Sequence, residues 1–201
     1  MLGNSKARNF GQIIATPFAK AFIKLGFSPD LVTLIGTVGV VIVSIIFFAQ
    51  GDFLWGSILF ATFVGLDAVD GTVARILNRN SKWGAFFDSV LDRIADGVVL
   101  ASLAFYFAQE NAQIYFVLSL ISLIASEIVS YTKARAEGLG LNCDTGIAER
   151  PERVIIVFFG TFFAGLGYIQ ILEFSLWFLA VVSVITVIQR MKFVQNQAKR
   201  L

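Results

Sequence analysis

Several residue types are scarce in this sequence, and each absence excludes a class of chemistry. The 201 residues include no histidine, one cysteine and three prolines. Without histidine, neither a histidine-ligated metal site nor a histidine acid or base is possible. The single cysteine, Cys143, cannot form an intrachain disulfide or a cysteine-ligated metal cluster. Charged residues make up only 15% of the chain, which is low for a soluble protein.

Apolar residues, by contrast, are abundant. They make up 57% of the chain and include 21 phenylalanines. We predict six apolar spans, each near the roughly 20 residues that a helix needs to cross a bilayer. The predicted spans are 31–49, 53–77, 84–108, 112–136, 152–168 and 171–194. The sequence therefore predicts an all-α membrane protein with six transmembrane helices, surrounded by membrane lipid and forming a single domain over residues 1–201.

Residues 8–25 precede the first apolar span and mix apolar with basic residues. Phe10, Ile14, Phe18 and Leu25 follow helical spacing, with basic residues between them. This pattern is typical of an amphipathic helix that lies at the membrane surface. We therefore expect an amphipathic juxtamembrane helix before the six spans, with a flexible basic tail as the alternative.

The basic residues are distributed unevenly along the chain. All 16 lie in the N-terminal arm or in regions 75–93, 133–153 and 190–200. The connections near 50–52, 109–111 and 168–173 contain no lysine or arginine. The positive-inside rule places basic loops in the cytoplasm. It predicts a multi-pass protein of the cell membrane with both termini in the cytoplasm, and nothing in the pattern indicates a nucleic-acid partner.

Four aspartates lie within residues 67–92, and ionisable groups are costly in such an apolar chain. Asp67 and Asp70 are three residues apart, and Asp88 and Asp92 are four apart, so each pair projects from one helix face. Two such faces in opposition would form an oxygen-lined pocket. This donor set suits Mg²⁺ or Mn²⁺, which often bridge carboxylates to substrate phosphates. Pairing of the aspartates with arginines for structural purposes is the alternative.

The complete pattern is Asp-x2-Asp-Gly-x2-Ala-Arg-x8-Gly-x3-Asp-x3-Asp. It matches the signature of the CDP-alcohol phosphatidyltransferase family, which this chain resembles over nearly its whole length. Members of that family transfer a phosphatidyl group from a CDP-linked lipid to an alcohol and release CMP. The resemblance implies a homodimer of six-helix membrane chains in phospholipid biosynthesis, with a cytosol-facing metal site.

The resemblance also implies roles for individual residues. Asp67, Asp70 and Asp88 are expected to bind the metal. Asp92 is expected to act as the general base and to contact the metal as well. For binding of the CDP-lipid, CDP-diacylglycerol, the implied residues are Asp30, Leu31, Val32, Thr33, Gly71, Arg75 and Ser81.

The signature does not identify the acceptor alcohol, so basic residues outside it are informative. Lys133 and Arg153 flank one predicted cytosolic loop, and Arg190 lies at the end of the last span. A neutral acceptor does not require such a cluster, whereas a phosphorylated acceptor does. The surrounding segments resemble those of a bacterial subfamily that uses inositol phosphate, which also implies a bacterial cell membrane. The positions that match its acceptor site are Ser130, Lys133, Arg135, Arg153 and Arg190.

Alternatives remain for the activity and for two polar residues. The same chemistry could use glycerol 3-phosphate or inositol as acceptor. A prenyltransferase has a different aspartate spacing, and a divalent-cation transporter needs carboxylates near mid-membrane. Asp96 continues the face of Asp88 and Asp92, either supporting a metal ligand or pairing with Arg93 or Arg75. Glu127 is expected to form an interhelical hydrogen bond.

Overall fold

The computed structural model describes residues 16–77 and 81–199, and the regular elements in this part of the chain are all helical. Helix α1 includes the described residues 16–24. It is followed by α2 (Pro29–Ile46), α3 (Phe53–Val64), α4 (Leu66–Ile76), α5 (Lys82–Gln109), α6 (Gln113–Gly138), α7 (Arg150–Gly165) and α8 (Ile169–Ala198). A short 3-10 helix, Phe48–Gln50, follows α2. The all-α prediction is confirmed.

Four helical segments are long and apolar enough to cross a membrane. They are Pro29–Gln50, Phe53–Ile76, Gln113–Gly138 and Ile169–Ala198. These segments indicate a membrane protein. The other two predicted spans correspond to α5, which carries Asp92, Arg93 and Asp96, and to α7, which has only 16 residues. Of the predicted juxtamembrane helix, residues 16–24 are helical, and residues 8–15 lie outside the described part.

The predicted span 53–77 consists of two helices, because a turn at Gly65 separates α3 from α4. Glycine loses more conformational freedom in a helix than any other residue, so an interruption costs least there. Helix α4 begins with Asp67 in its first turn and ends with Arg75 in its last. This order of charges complements the helix dipole. The turn therefore starts a new helix just before the first aspartate of the motif.

Residue contacts divide the chain into two compact units. The first is built from Met1–Val43 and Leu59–Ala95, and the second from Ser44–Ile58 and Asp96–Leu201. In the described part of the first unit, a buried cluster joins α1, α2 and α4. Its members are Ala19, Val32, Val69 and Val73, with Phe22, Ile23, Phe27, Leu66 and Leu77 packed against them. This core holds the first turns of α2 against α4, where the motif aspartates lie.

In the second unit, α8 packs against both α6 and α7. Small polar side chains are buried within this unit. Ser57 Oγ on α3 lies 2.8 Å from Thr161 Oγ1 on α7, and both residues are fully buried. Small residues of this kind allow helix backbones to approach closely in membrane proteins, and their hydroxyls bond across the interface.

One close approach in the second unit depends on Gly165, at the end of α7. A Cβ atom at this position would overlap the backbone N and Cα of Leu54. We expect Gly165→Ala to destabilise the protein by about 1–3 kcal/mol, the usual cost of overpacking, and to lower its unfolding temperature in detergent. Gly97→Ala is the control, because a Cβ there would have no atom within 4 Å. Equal unfolding temperatures for Gly165→Ala and the unmodified protein would contradict this packing.

Candidate active site

A pocket of about 200 Å³ opens in the first unit, where α2, α4 and the start of α5 meet. It is lined by Pro29, Asp30, Thr33, Asp70, Gly71, Ala74, Ser81, Gly84, Ala85 and Asp88. Residues with a predicted metal or CDP-lipid role therefore come together from three segments of the chain. Those that line the pocket are Asp30, Thr33, Asp70, Gly71, Ser81 and Asp88.

Asp70 is a buried carboxylate of this pocket, with 7% of the residue exposed. Its Oδ2 lies 2.6 Å from Thr33 Oγ1, which donates a hydrogen bond to it. Thr33 Oγ1 is also 3.1 Å from the carbonyl oxygen of Pro29. A hydroxyl has one proton to donate, and the shorter distance favours Asp70 as its acceptor. Thr33 therefore orients the Asp70 side chain.

Two further carboxylates surround Asp70. The charges of Asp67 and Asp88 both act on it. The side chain of Asp67 faces α2, since a Cβ at Gly36 would lie 3.9 Å from its Oδ1. Like charges around a buried carboxylate are unfavourable unless a cation compensates them. The pocket therefore has both the charge and the oxygen ligands that suit Mg²⁺ or Mn²⁺.

The carboxylates alone do not form a complete coordination shell. Within residues 16–77 and 81–199, no three histidine, cysteine, aspartate or glutamate side chains are grouped so that they could hold a metal ion. Mg²⁺ is commonly bound by one or two carboxylates together with substrate phosphates. Asp70 and Asp88, which line the same pocket, therefore suit a metal ion that is also bound by a phosphate ligand.

Asp92 lies one helical turn beyond Asp88 on α5. Its side chain is 14% exposed, and its Oδ2 is 3.7 Å from Nη2 of Arg93. The four-residue spacing puts Asp88 and Asp92 on the same face of α5. Among the described residues that line the pocket, Asp88 is the carboxylate supplied by α5. Asp92 is therefore placed next to the pocket wall along the helix.

Three residues predicted to bind the CDP-lipid lie outside the pocket lining. Val32 is fully buried in the core cluster, and Leu31 is exposed. Helical spacing explains this, because residues three apart, such as Asp30 and Thr33, share a face while the two between them point elsewhere. Arg75 is turned back onto α4, with Nε donating to the carbonyl oxygen of Gly71 at 2.8 Å.

Ser81 has a local role that the sequence analysis missed. Its Oγ accepts a 2.9 Å hydrogen bond from the backbone N–H of Gly84, so it caps the N-terminus of α5. A serine placed just before a helix is the usual sequence indication of such a cap. The capped end of α5 borders the pocket, and a helix N-terminus favours bound anions such as phosphates.

Two of the predicted acceptor-binding residues are buried arginines of the second unit. Arg190 Nε donates to Thr145 O at 2.8 Å, and another guanidinium nitrogen donates to Val129 O. Its Nη2 lies 3.4 Å from Glu149 Oε1. Arg153 Nη1 donates to the carbonyl oxygen of Ala148 at 3.2 Å. Protein groups thus fix the positions of both guanidinium groups.

The other predicted acceptor residues lie on α6. Lys133 Nζ is 3.0 Å from Asp144 Oδ1, and this hydrogen bond from Lys133 holds the pKa of the Asp144 carboxyl below its usual range. Ser130 Oγ donates to the carbonyl oxygen of Ser126 at 3.2 Å. Arg135 is exposed.

Asp96 pairs with arginines that the sequence analysis did not propose. Its Oδ1 lies 3.5 Å from Arg150 Nε, and its Oδ2 lies 3.3 Å from Arg153 Nη2. Arg93 and Arg75 were the partners suggested by sequence proximity. Instead, Asp96 ties α5 to the first turn of α7.

Comparison with known proteins identifies the class to which this fold and this pocket belong. Residues 27–188 match the CDP-alcohol phosphatidyltransferase family. The chain belongs to the CDP-alcohol phosphatidyltransferase family, and the enzyme class predicted from the aspartate motif is confirmed.

Two similar proteins within this family carry the name phosphatidylinositol phosphate synthase. The phosphatidylinositol phosphate synthase of Streptomyces avermitilis is 42% identical, with the match covering 97% of this chain and 83% of that protein. The Mycobacteroides abscessus enzyme of the same name is 41% identical, over 91% of this chain and 84% of that protein.

Two solved structures of the phosphatidylinositol phosphate synthase of Mycobacterium tuberculosis share the fold of this chain. The structure with CDP-DAG bound has a TM-score of 0.86 and 37% identity, covering 90% of this chain and 93% of that one. The structure in complex with manganese and citrate has the same TM-score and identity, covering 90% of this chain and 88% of that one.

Proposed function

We propose that this protein transfers the phosphatidyl group of CDP-diacylglycerol (CDP-DAG) to inositol phosphate, releasing CMP and forming phosphatidylinositol phosphate. The observation that carries this proposal is the single pocket that gathers Asp30, Thr33, Asp70, Ser81 and Asp88. The relatives named phosphatidylinositol phosphate synthase support the choice of acceptor.

In the proposed reaction, the pocket binds the nucleotide end of CDP-DAG beside the capped N-terminus of α5. Asp67, Asp70 and Asp88 would hold a divalent metal ion, Mg²⁺ or Mn²⁺, which would neutralise charge on the pyrophosphate. The metal complex of the Mycobacterium tuberculosis enzyme supports a divalent ion here. Gly71 leaves open space at the pocket wall, because a Cβ there would have no atom within 4 Å.

Asp92 is the proposed general base. It takes the proton from the acceptor hydroxyl while that oxygen attacks the phosphorus that bears the diacylglycerol. The bond between this phosphorus and the bridging pyrophosphate oxygen breaks, and CMP leaves with that oxygen. A carboxylate is a weak base, so correct positioning and electrostatic stabilisation have to supply much of the rate enhancement.

We also propose one catalytic domain with six crossings of the bacterial cell membrane, in which α5 and α7 supply the third and fifth. Both termini and the aspartate pocket then face the cytoplasm, in agreement with the distribution of basic residues. The phosphate of the acceptor is proposed to bind near Ser130, Lys133, Arg135, Arg153 and Arg190. A homodimer, typical of the family, is the proposed assembly.

The acceptor is tested by supplying purified protein in detergent with labelled CDP-DAG, Mg²⁺ and one alcohol at a time. Inositol phosphate, glycerol 3-phosphate and inositol are compared, and the lipid product and CMP are both measured. We expect inositol phosphate to give the fastest CMP release and a phosphorylated inositol lipid. Product from glycerol 3-phosphate but not from inositol phosphate would overturn the acceptor assignment.

A further inference from the structure

The loop between α6 and α7, residues 139–149, supplies two carboxylates that pair with proposed acceptor-binding cations. Asp144 Oδ1 lies 3.0 Å from Lys133 Nζ, and Glu149 Oε1 lies 3.4 Å from Arg190 Nη2. In each pair the carboxylate is the more exposed partner. The side chain of Asp144 is 65% exposed against 38% for Lys133, and that of Glu149 is 50% exposed against 3% for Arg190. The carboxylates are therefore the solvent-facing members of the two pairs.

Arg190 has two partners besides Glu149. Its guanidinium donates to the carbonyl oxygens of Thr145 and Val129. Both acceptors are neutral, so these bonds fix the guanidinium without cancelling its charge. Glu149 supplies the opposite charge, and it does so from an exposed position at the long distance of 3.4 Å. At this distance the hydrogen bond between Arg190 and Glu149 is a weak one.

The backbone of the same loop is held against α8. The N–H of Ala148 donates to Thr186 Oγ1 at 3.1 Å, and the N–H of Asn142 donates to Gln197 Oε1 at 2.9 Å. Gly146 has a φ of +136° and leaves no room for a side chain, since a Cβ there would lie 2.6 Å from Thr186 Cγ2. The loop is thus anchored near both of its carboxylates. The backbone of the loop is therefore fixed, whereas the side chains of Asp144 and Glu149 are exposed.

We propose that Asp144 and Glu149 are specificity-determining residues, which occupy Lys133 and Arg190 until the phosphate of the acceptor displaces them. This inference rests on the proposed function, and it describes how the same site would select its acceptor. A phosphate group carries up to two charges and three acceptor oxygens, and it forms strong charge-assisted hydrogen bonds with lysine and arginine. A singly charged anion gains much less when it replaces a carboxylate that is already in place. Asp144 and Glu149 therefore favour the binding of phosphate esters over the binding of singly charged anions at these two cations.

Glu149→Gln separates charge from geometry, because glutamine keeps a side-chain oxygen that can accept from Arg190 and removes only the negative charge. We expect the KM for inositol phosphate to fall by about two- to fivefold, the size of effect expected when a half-exposed carboxylate that contacts a cation loses its charge. We expect the KM for CDP-DAG to stay the same. Acetate, used as a competing monoanion, is expected to inhibit the variant more strongly than the unmodified protein. Asp144→Asn is expected to shift both measurements in the same direction.

Glu152→Gln is the matched control. Glu152 is exposed in the first turn of α7, so this variant removes the same charge close to the same loop. Its KM for inositol phosphate and its inhibition by acetate are expected to equal those of the unmodified protein. An equal fall in KM for Glu152→Gln would show that loss of any nearby negative charge has this effect. It would overturn the specific role of Glu149.

Failure of this inference is distinguishable from failure of the proposed function. If the unmodified protein releases no CMP with inositol phosphate, the proposed acceptor is wrong. A different outcome is that the protein uses inositol phosphate while Glu149→Gln and Asp144→Asn leave the KM and the acetate inhibition unchanged, or raise the KM. In either case the two carboxylates do not compete with the acceptor for the cations. A raised KM would instead mean that they position Lys133 and Arg190 for the acceptor.

Discussion

Asp92→Asn is expected to lower the turnover number by about 10²- to 10⁴-fold, the contribution of a positioned general base. Asparagine has nearly the same size as aspartate but cannot accept a proton from the acceptor hydroxyl. The Asp92 side chain is only 14% exposed, but the exchange leaves no large cavity because the two side chains have nearly the same size. The measurement is the rate of CMP release at saturating CDP-DAG and inositol phosphate.

Binding of CDP-DAG is expected to survive this substitution, because the residues that line the pocket are unchanged. Asp52→Asn is the matched control, since Asp52 is an exposed aspartate of the second unit and is expected to tolerate the same exchange. Near-normal turnover in Asp92→Asn would show that another group takes the proton. Loss of CDP-DAG binding as well as turnover would assign Asp92 to substrate or metal binding rather than to proton transfer.

Asp70→Asn is expected to weaken metal-dependent binding of CDP-DAG by at least about 100-fold. Groups that merely orient a metal ligand already raise metal affinity about 10- to 100-fold. A charged ligand is expected to raise it by no less than the upper value. The amide oxygen can still accept the hydrogen bond from Thr33, which preserves the local geometry while the charge is lost. The measurement is a Mn²⁺ titration of the purified protein in detergent with CDP-DAG present, followed by calorimetry.

Thr33→Ser is the companion variant for Asp70, because serine retains the hydroxyl that donates to Oδ2 at 2.6 Å. It is expected to keep metal-dependent binding close to that of the unmodified protein. If Asp70→Asn bound Mn²⁺ and CDP-DAG as tightly as the unmodified protein, Asp70 would not be a metal ligand. The pair Asp70→Asn and Asp92→Asn should therefore separate binding from turnover.

The helices and the pairing of the aspartates on shared helix faces were predictable because both depend on local sequence patterns. Apolar runs of about 20 residues predict helices, and spacings of three and four residues predict shared helix faces. The same periodicity would have assigned Val32 to the core instead of the pocket, since Asp30 and Thr33 already define the other face of α2. The turn at Gly65 was missed because apolar residues flank it, Val64 before and Leu66 after, and a single glycine does not by itself mark the end of a helix.

Contacts between distant segments could not be predicted in this way. The hydrogen bond from Thr33 to Asp70 joins residues 37 positions apart, and the bond from Arg190 to Val129 joins residues 61 apart. Neither residue type nor spacing selects such partners, because helix packing decides which side chains meet. The same reason explains why Asp96 pairs with Arg150 and Arg153 rather than with arginines closer in sequence.

Val32 and Thr33 are adjacent on α2, yet one is fully enclosed by the core and the other holds Asp70. The orientation of the Asp70 carboxylate is thus set by how well four small side chains on α1, α2 and α4 fill their space. A cavity opened at Ala19 or Val73 could tilt α2 and misdirect Asp70 without altering a single substrate contact. Inactivating substitutions in this protein should therefore be found along the apolar face of α1 as well as in the aspartate motif.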